Sequence, residues 1–196
     1  MNKQRICIVG DGLSGLMTAI CLNQIPGIEV NLLAKKAVNK QDKRTTAISD
    51  TNFKFIKENF AELNNKLFWP TKNIELFYET AKEKINFLNL EEKYSNLMYI
   101  FENDKIKNIL LKEIFKKKIK TIHREISDFN KLKNYDLIIL CLGRQSKVYK
   151  QLTNSRLIKK NYKEIAITGN VNYKTKSLNT SQFFLKEGPL AILPFS

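Results

Sequence analysis

The chain has 196 residues, of which 43% are hydrophobic and 10% aromatic, so it can form a substantial core and global disorder is excluded. This length suits one domain, or one domain and part of a second. No apolar stretch is long enough to cross a bilayer and no signal peptide is visible, so we expect a cytoplasmic protein.

The net charge of +15 raises the question of an anionic partner. The basic residues are scattered, and the densest run, at 116–120, ends a helical pattern, where the helix dipole favours cations. We therefore expect no nucleic-acid binding, whereas peripheral attachment to an anionic inner membrane stays open. Cys7, Cys21 and Cys141 are far apart in apolar sequence, which predicts buried thiols and neither a disulfide nor a metal site.

The amino-terminal segments predict a β-α-β unit with a right-handed crossover. In chain order we expect a strand at 5–10, a helix at 13–24, a strand at 28–34, a polar loop at 35–46 and a helix at 46–60. Farther along we expect an antiparallel hairpin within 70–90, a helix at 103–119, strands at 120–126 and 164–173, and a buried strand at 135–143.

Three glycines with the spacing G-x-G-x-x-G stand between the first strand and the first helix. Gly10 permits a sharp turn, Gly12 lets a pyrophosphate approach the backbone, and Gly15 lets the helix pack closely on the strand. The helix N-terminus offers free N–H groups to phosphates. The pattern thus predicts a phosphate site that also includes Leu13 and Ser14, and the alternative is a tight turn without a ligand.

The second strand lacks the acidic residue that usually binds a ribose hydroxyl at its end. Ala34 occupies that position, and Lys35 and Lys36 follow it. Two interpretations are open. Either the basic pair accepts a ribose phosphate, as in NADP sites, or the carboxylate is simply absent and binding weakens by about 1 kcal/mol.

Five stretches carry a resemblance to a known family. They read ICIVGDGLSGLMTAICL at 6–22, DKRTTAISDTNFKFIKENF at 42–60, LMYIFENDKIKNILLKEI at 97–114, YDLIILCLGRQSKVYKQL at 135–152 and QFFLKEGPLAILPFS at 182–196. In these stretches the chain resembles the FAD-dependent aromatic-ring hydroxylases of ubiquinone biosynthesis, which are related to para-hydroxybenzoate hydroxylase.

The resemblance implies roles for two further residues. Arg44 matches an arginine that lies near the flavin in the family, and Gly143 matches the family's second nucleotide motif, as do Ser146 and Val148. Leu142 stands where that motif has an aspartate that helps to hold FAD. Because leucine accepts no hydrogen bond, it cannot make this contact.

The resemblance also implies the fold class: α/β, with a Rossmann-like FAD-binding parallel sheet and a partial antiparallel substrate-domain sheet. The expected division is a FAD-binding β-α-β unit and following helix at 1–72, the first substrate-domain strands at 73–100, a return to the FAD-binding domain at 101–155, and truncated substrate-domain strands at 156–196. Family members are about twice as long, so we expect a gene fragment, a split enzyme with a complementary carboxy-terminal chain, or a degenerate copy.

The implied activity is hydroxylation of a polyprenyl phenol, an aromatic or quinol substrate, with FAD as cofactor and NAD(P)H as reductant. No catalytic side chain is assigned, because the cofactor performs the difficult chemistry. We expect the chain to be incomplete as an enzyme by itself. Two rivals stay open: a noncatalytic Rossmann-like partner that docks a complementary chain or a quinone-biosynthesis complex, and an NADP-dependent oxidoreductase that uses Lys35 and Lys36.

Overall fold

The computed structural model describes residues 3–35, 42–124, 132–143, 164–172 and 179–194. The chain forms two compact units, each assembled from two separate segments. The first unit contains residues 1–41 and 107–168, and the second contains 42–106 and 169–196. These divisions differ from the expected boundaries at 72, 100 and 155, whose functional assignment to FAD and substrate domains stays a prediction.

Eleven strands and three α-helices make up the regular structure of the described residues. In chain order they are β1 (Gln4–Val9), α1 (Leu13–Leu22), β2 (Ile28–Ala34), β3 (Thr45–Ser49), α2 (Asp50–Asn59), β4 (Trp69–Thr71), β5 (Asn73–Glu79), β6 (Lys84–Glu91), β7 (Met98–Glu102), α3 (Asn103–Lys116), β8 (Lys120–His123), β9 (Leu137–Leu140), β10 (Thr180–Leu185) and β11 (Gly188–Ile192). No helix among these residues is both long and apolar enough to cross a membrane.

The first unit is built around a four-stranded sheet of order β8-β2-β1-β9, in which every pairing is parallel. The inner strands β1 and β2 are mostly apolar and end in stretches of consecutive buried residues, as expected for parallel strands covered on both faces. Helix α1 contacts both of these strands and buries Leu16 and Ile20 completely, together with Ile8 and Leu32. The predicted β-α-β unit is therefore present.

The second unit contains two sheets. A three-stranded antiparallel sheet has the order β3-β7-β4, and a four-stranded sheet has the order β11-β10-β5-β6. The predicted hairpin is the antiparallel pair of β5 and β6, which carries a bulge at Leu76/Phe77. Strand β10 pairs in parallel with β5, so this sheet is mixed rather than purely antiparallel.

Two predicted elements begin or end elsewhere. The helix expected from residue 46 starts at Asp50, because residues 45–49 pair with β7 as strand β3. Ser49 caps the helix by accepting a hydrogen bond from the N–H of Asn52. The strand expected at 135–143 spans only Leu137–Leu140, and the side chain of Leu137 is 47% exposed, so it is not the fully buried strand that its apolar run predicted.

The strand expected at 164–173 is wrong over the described residues 164–172, which form no regular structure. The segment is rich in β-branched residues, yet Ile165, Ile167 and Val171 are 89%, 92% and 86% exposed. Such residues form a strand only where a neighbouring strand supplies backbone partners, and none of the described strands pairs with this segment.

Candidate cofactor site

The turn after β1 depends on Gly10, whose φ of +117° is accessible only to glycine without strain. Its N–H donates a 2.8 Å hydrogen bond to the carbonyl of Leu33 on β2. A Cβ at this position would lie 2.2 Å from the carbonyl oxygen of Cys141. The backbone following β9 therefore passes so close to the turn that no side chain fits.

Gly15 fixes the approach of α1 to the same turn. A Cβ here would lie 2.0 Å from the carbonyl oxygen of Gly10 and 3.3 Å from the Cβ of Cys141. This is the close helix–strand packing that the glycine spacing predicts. Gly10 and Gly15 are thus required by the fold of the protein itself.

Gly12 differs from the other two glycines, because nothing lies within 4 Å of the position of its Cβ. Its φ of −72° and ψ of 174° are extended values that any residue adopts. Neither packing nor backbone conformation demands glycine at this point. The small residue therefore keeps open the space next to the helix N-terminus.

The N-terminus of α1 is unusually free. Gly12 is its N-cap, so no side chain caps it, and its first turn carries no acidic residue. The first backbone bond within the helix joins the N–H of Leu16 to the carbonyl of Gly12 at 3.0 Å, which leaves the N–H groups of Leu13, Ser14 and Gly15 outside the helical ladder. These donors, the positive helix end and the open space fit a pyrophosphate group.

An ion pair that the sequence did not predict lies at this turn. The Nζ of Lys107 on α3 is 3.5 Å from Oδ2 of Asp11, the residue between Gly10 and Gly12. Both side chains are about one-third exposed. No local pattern could reveal the pair, since its two members are far apart in the sequence and belong to different elements.

The end of β2 presents an apolar side chain inward. Ala34 is buried, and its carbonyl accepts a 2.9 Å hydrogen bond from the N–H of Arg124. Lys35 is exposed directly after it, and Lys36 lies outside the described residues. The absence of a carboxylate at position 34 leaves Lys35 as the charged residue described at this strand end.

Gly143 and Leu142 follow β9, whose carboxyl end lies beside that of β1 because the two strands pair in parallel. The N–H of Cys141 donates a 2.8 Å hydrogen bond to the carbonyl of Val9. Gly143 is exposed with open space at its Cβ position, and Leu142 packs against a cluster that contains Val9 and Leu33. Leu142, which stands where the resemblance has an aspartate, is thus a partly buried apolar side chain. Ser146 and Val148 lie outside the described residues.

Arg44 belongs to the second unit. Its guanidinium makes two 2.6 Å hydrogen bonds to the two carboxylate oxygens of Asp42, and Asn103 Nδ2 donates a third to Asp42 Oδ2 at 3.1 Å. The hydrogen bond from Arg44 is the main reason that the pKa of Asp42 lies well below its usual range. The Arg44 side chain is 72% exposed, so its planar fork is accessible on one side.

The three cysteines are free thiols. Cys7 is buried as expected, and burial raises its pKa to about 11. Cys21 and Cys141 are only half-buried, which corrects the expectation that all three are buried, although partial burial still raises the pKa of both. Among the described residues, no group of His, Cys, Asp or Glu is arranged to hold a metal ion.

Comparison with known proteins identifies the fold. The sequence matches no protein-family model and is significantly similar to no curated protein. A mutant of P. aeruginosa PqsL is 12% identical, with a TM-score of 0.68 over 98% of this chain and 58% of that chain. The fold is a Rossmann-like α/β fold of the FAD-binding type.

Two further solved structures match a smaller share of this chain. Native FqzB is 18% identical, with a TM-score of 0.49 over 63% of this chain and 29% of that chain. The tetrameric form of 2-methyl-3-hydroxypyridine-5-carboxylic acid oxygenase is 14% identical, with the same TM-score over 63% of this chain and 32% of that chain. This chain therefore spans 58% of PqsL and about a third of the other two. The ubiquinone-biosynthesis branch and the relation to para-hydroxybenzoate hydroxylase stay predictions.

Proposed function

We propose that the chain is the FAD-binding portion of a flavin monooxygenase and that it is incomplete as a catalyst by itself. The observation that carries the proposal is Gly12, which directly precedes an uncapped helix N-terminus although neither packing nor backbone conformation requires glycine there. A dinucleotide pyrophosphate explains it, because any side chain would occupy the space that the phosphates need.

In this proposal the N–H groups of Leu13, Ser14 and Gly15 donate to the phosphate oxygens, and Gly143 leaves room beside them at the end of β9. Arg44 offers a cation to the flavin end of the cofactor, as the resemblance implies. When bound, FAD supplies the oxygen chemistry that hydroxylates an aromatic ring, and NAD(P)H supplies the electrons. The proposed substrate is a polyprenyl phenol of ubiquinone biosynthesis.

The proposed partners follow from the same resemblance. A complementary carboxy-terminal chain would supply what the remaining part of a hydroxylase of the resembled family carries. The net charge of +15 supports peripheral attachment of a cytoplasmic protein to an anionic inner membrane. Sedimentation with anionic but not zwitterionic vesicles at about 0.1 M salt tests the attachment.

The cofactor proposal is tested by titrating the purified chain with FAD and following the quenching of flavin fluorescence. We expect the wild-type chain to bind FAD stoichiometrically. Gly12→Ala should weaken binding at least about tenfold, because its methyl group enters the phosphate space, while the melting temperature of the ligand-free chain stays unchanged. Gly169→Ala is the matched control, since its Cβ also meets open space and it lies far along the chain.

Two results would contradict the proposal: a wild-type chain that does not quench FAD, or a Gly12→Ala variant that binds FAD as tightly as the wild type. The same titration with NADPH tests the NADP-dependent rival, which requires tighter binding of NADPH than of FAD and a loss of that preference in Lys35→Gln.

A noncatalytic role is the second candidate. The burial of Ala34 and the packing of Leu142 into an apolar cluster favour it, because two positions that bind FAD in the family serve the core here. This candidate requires a chain that binds no FAD but forms a stable complex with a complementary polypeptide. Size-exclusion chromatography of the co-expressed pair, with and without FAD, distinguishes it from the cofactor proposal.

A further inference from the structure

Asp11 places a carboxylate inside the turn that is proposed to hold the phosphates. It stands between Gly10 and Gly12, directly before the helix N-terminus. A pyrophosphate bound at this helix end carries negative charge of its own, and like charges at short range oppose binding. The turn therefore contains a group that opposes the ligand it is shaped to accept.

Lys107 lies where it can remove that conflict. It belongs to the second turn of α3, and its Nζ is 3.5 Å from Oδ2 of Asp11. Its neighbour Lys105 instead forms a 2.6 Å pair with Glu102 on the preceding strand. The two lysines thus differ in partner although they share one helix, and only Lys107 reaches the glycine turn.

We propose that Lys107 is the positioning residue that allows this turn to accept a pyrophosphate, because it neutralises Asp11. The inference rests on the proposed function, since it concerns how the same site accepts the phosphates of a dinucleotide. It predicts a specific form of coupling: Lys107 is needed for binding only while Asp11 is charged. Removal of both charges should restore what removal of the lysine alone takes away.

The test is FAD titration of the wild type, Lys107→Gln, Asp11→Asn and the double variant. Because the two charges are close together and only partly exposed, we expect Lys107→Gln to weaken binding about tenfold. Asp11→Asn should bind at least as tightly as the wild type, and the double variant should match Asp11→Asn within about twofold. Lys107→Arg keeps the charge and should keep most of the affinity.

Salt dependence separates this role from a structural one. In Lys107→Gln the remaining obstacle is repulsion from Asp11, which salt screens, so the affinity defect should shrink between about 0.05 and about 0.5 M salt. Lys105→Gln is the matched control on the same helix and should leave FAD affinity unchanged. The ligand-free melting temperatures of the two lysine variants should agree, because both lose one partly exposed ion pair.

The outcomes are distinguishable. If the wild type and Lys107→Gln bind FAD with the same affinity, this inference is overturned and the proposed function remains intact. The same conclusion follows if the double variant binds FAD as weakly as Lys107→Gln. A wild-type chain that fails to bind FAD overturns the proposed function and, with it, the inference. A Lys107→Gln defect that is independent of salt and is restored by Asp11→Asn only in part would also overturn it.

Discussion

The inner strands of the parallel sheet and the edge strands of the mixed sheet bury their side chains to very different extents. In the parallel sheet, β1 and β2 are buried over most of their length. In the mixed sheet, β6 and β11 are exposed or half-exposed at every position. The difference follows from the position of the strands, because inner parallel strands are covered on both faces, whereas an edge strand has one unpaired side.

This contrast explains how the candidate site residues are held. Gly10 and Gly15 stand against backbone atoms of the buried sheet, so the core fixes the geometry of the turn. Arg44 in the second unit is held by Asp42, two residues away, on an exposed segment. The first arrangement is set by long-range packing, whereas the second combines a local, partly exposed ion pair with a hydrogen bond from Asn103 to Asp42.

The largest expected effect is that of Gly15→Ala. Its Cβ would lie 2.0 Å from the carbonyl oxygen of Gly10, which is backbone and cannot move aside, so α1 must separate from the sheet. We expect a destabilisation of about 3 kcal/mol or more. Hydrogen exchange measured by mass spectrometry should show faster exchange in peptides of β1, α1 and β2, while peptides of β5 and β6 keep their protection.

Gly12→Ala is the control for this prediction, because it adds the same methyl group to the same turn where no atom lies within 4 Å. Its exchange pattern should match the wild type. Uniform loss of protection in both units of Gly15→Ala would show that the two units unfold as one cooperative body, and the contrast between them would then not extend to stability.

A matched pair of leucine truncations should sharpen the same contrast. Leu32 on β2 is 1% exposed and Leu88 on β6 is 44% exposed. Leu32→Ala should cost about 2–5 kcal/mol, because it leaves a cavity in a close-packed core, whereas Leu88→Ala should cost about 1 kcal/mol or less. Chemical denaturation monitored by circular dichroism measures both. Similar losses would mean that β6 is covered in solution by a partner or a second copy of the chain.

The sequence predicted elements that carry local signals better than it predicted long-range strand pairing. The apolar runs of β1 and β2 and the glycine spacing between them are local signals, and they identified the β-α-β unit and its turn. Strand β3 was mistaken for part of a helix because its pairing with β7 is a long-range interaction that no local period reports. The strand predicted at 164–172 failed for the opposite reason. Its residues suit a strand, but none of the described strands pairs with them.

The same limit applies to the candidate site. The three glycines could be read from their spacing, but the difference between them could not, because it depends on the distance from each Cβ position to Cys141 or to empty space. The pair of Asp11 and Lys107 could not be found either, since α3 reaches the turn only in three dimensions. Resemblance placed Arg44 near a flavin, yet only the structure shows that Asp42 holds it.

The smallest expected effect concerns thiol titration, which belongs to the first unit alone because Cys7, Cys21 and Cys141 all lie there. Burial raises the pKa of Cys7 from 9.0 to about 11, so the folded chain retains the thiol proton at a pH where the unfolded chain has lost it. The stability that Cys7 contributes is therefore complete below about pH 9 and is lost as the pH rises toward 11.

The Cys7→Ala variant lacks this pH-dependent contribution to stability. It carries a small cavity, which lowers its stability by an amount that does not depend on pH. The difference in unfolding free energy between the wild type and this variant should therefore shrink by about 1–2 kcal/mol from pH 8 to pH 10.5, as measured by urea denaturation under reducing conditions. A difference that stays constant across this range would mean that solvent reaches Cys7 in the folded chain. The inner strands of the parallel sheet would then be less securely covered than their burial indicates, and the two units would be more alike in solution than in structure.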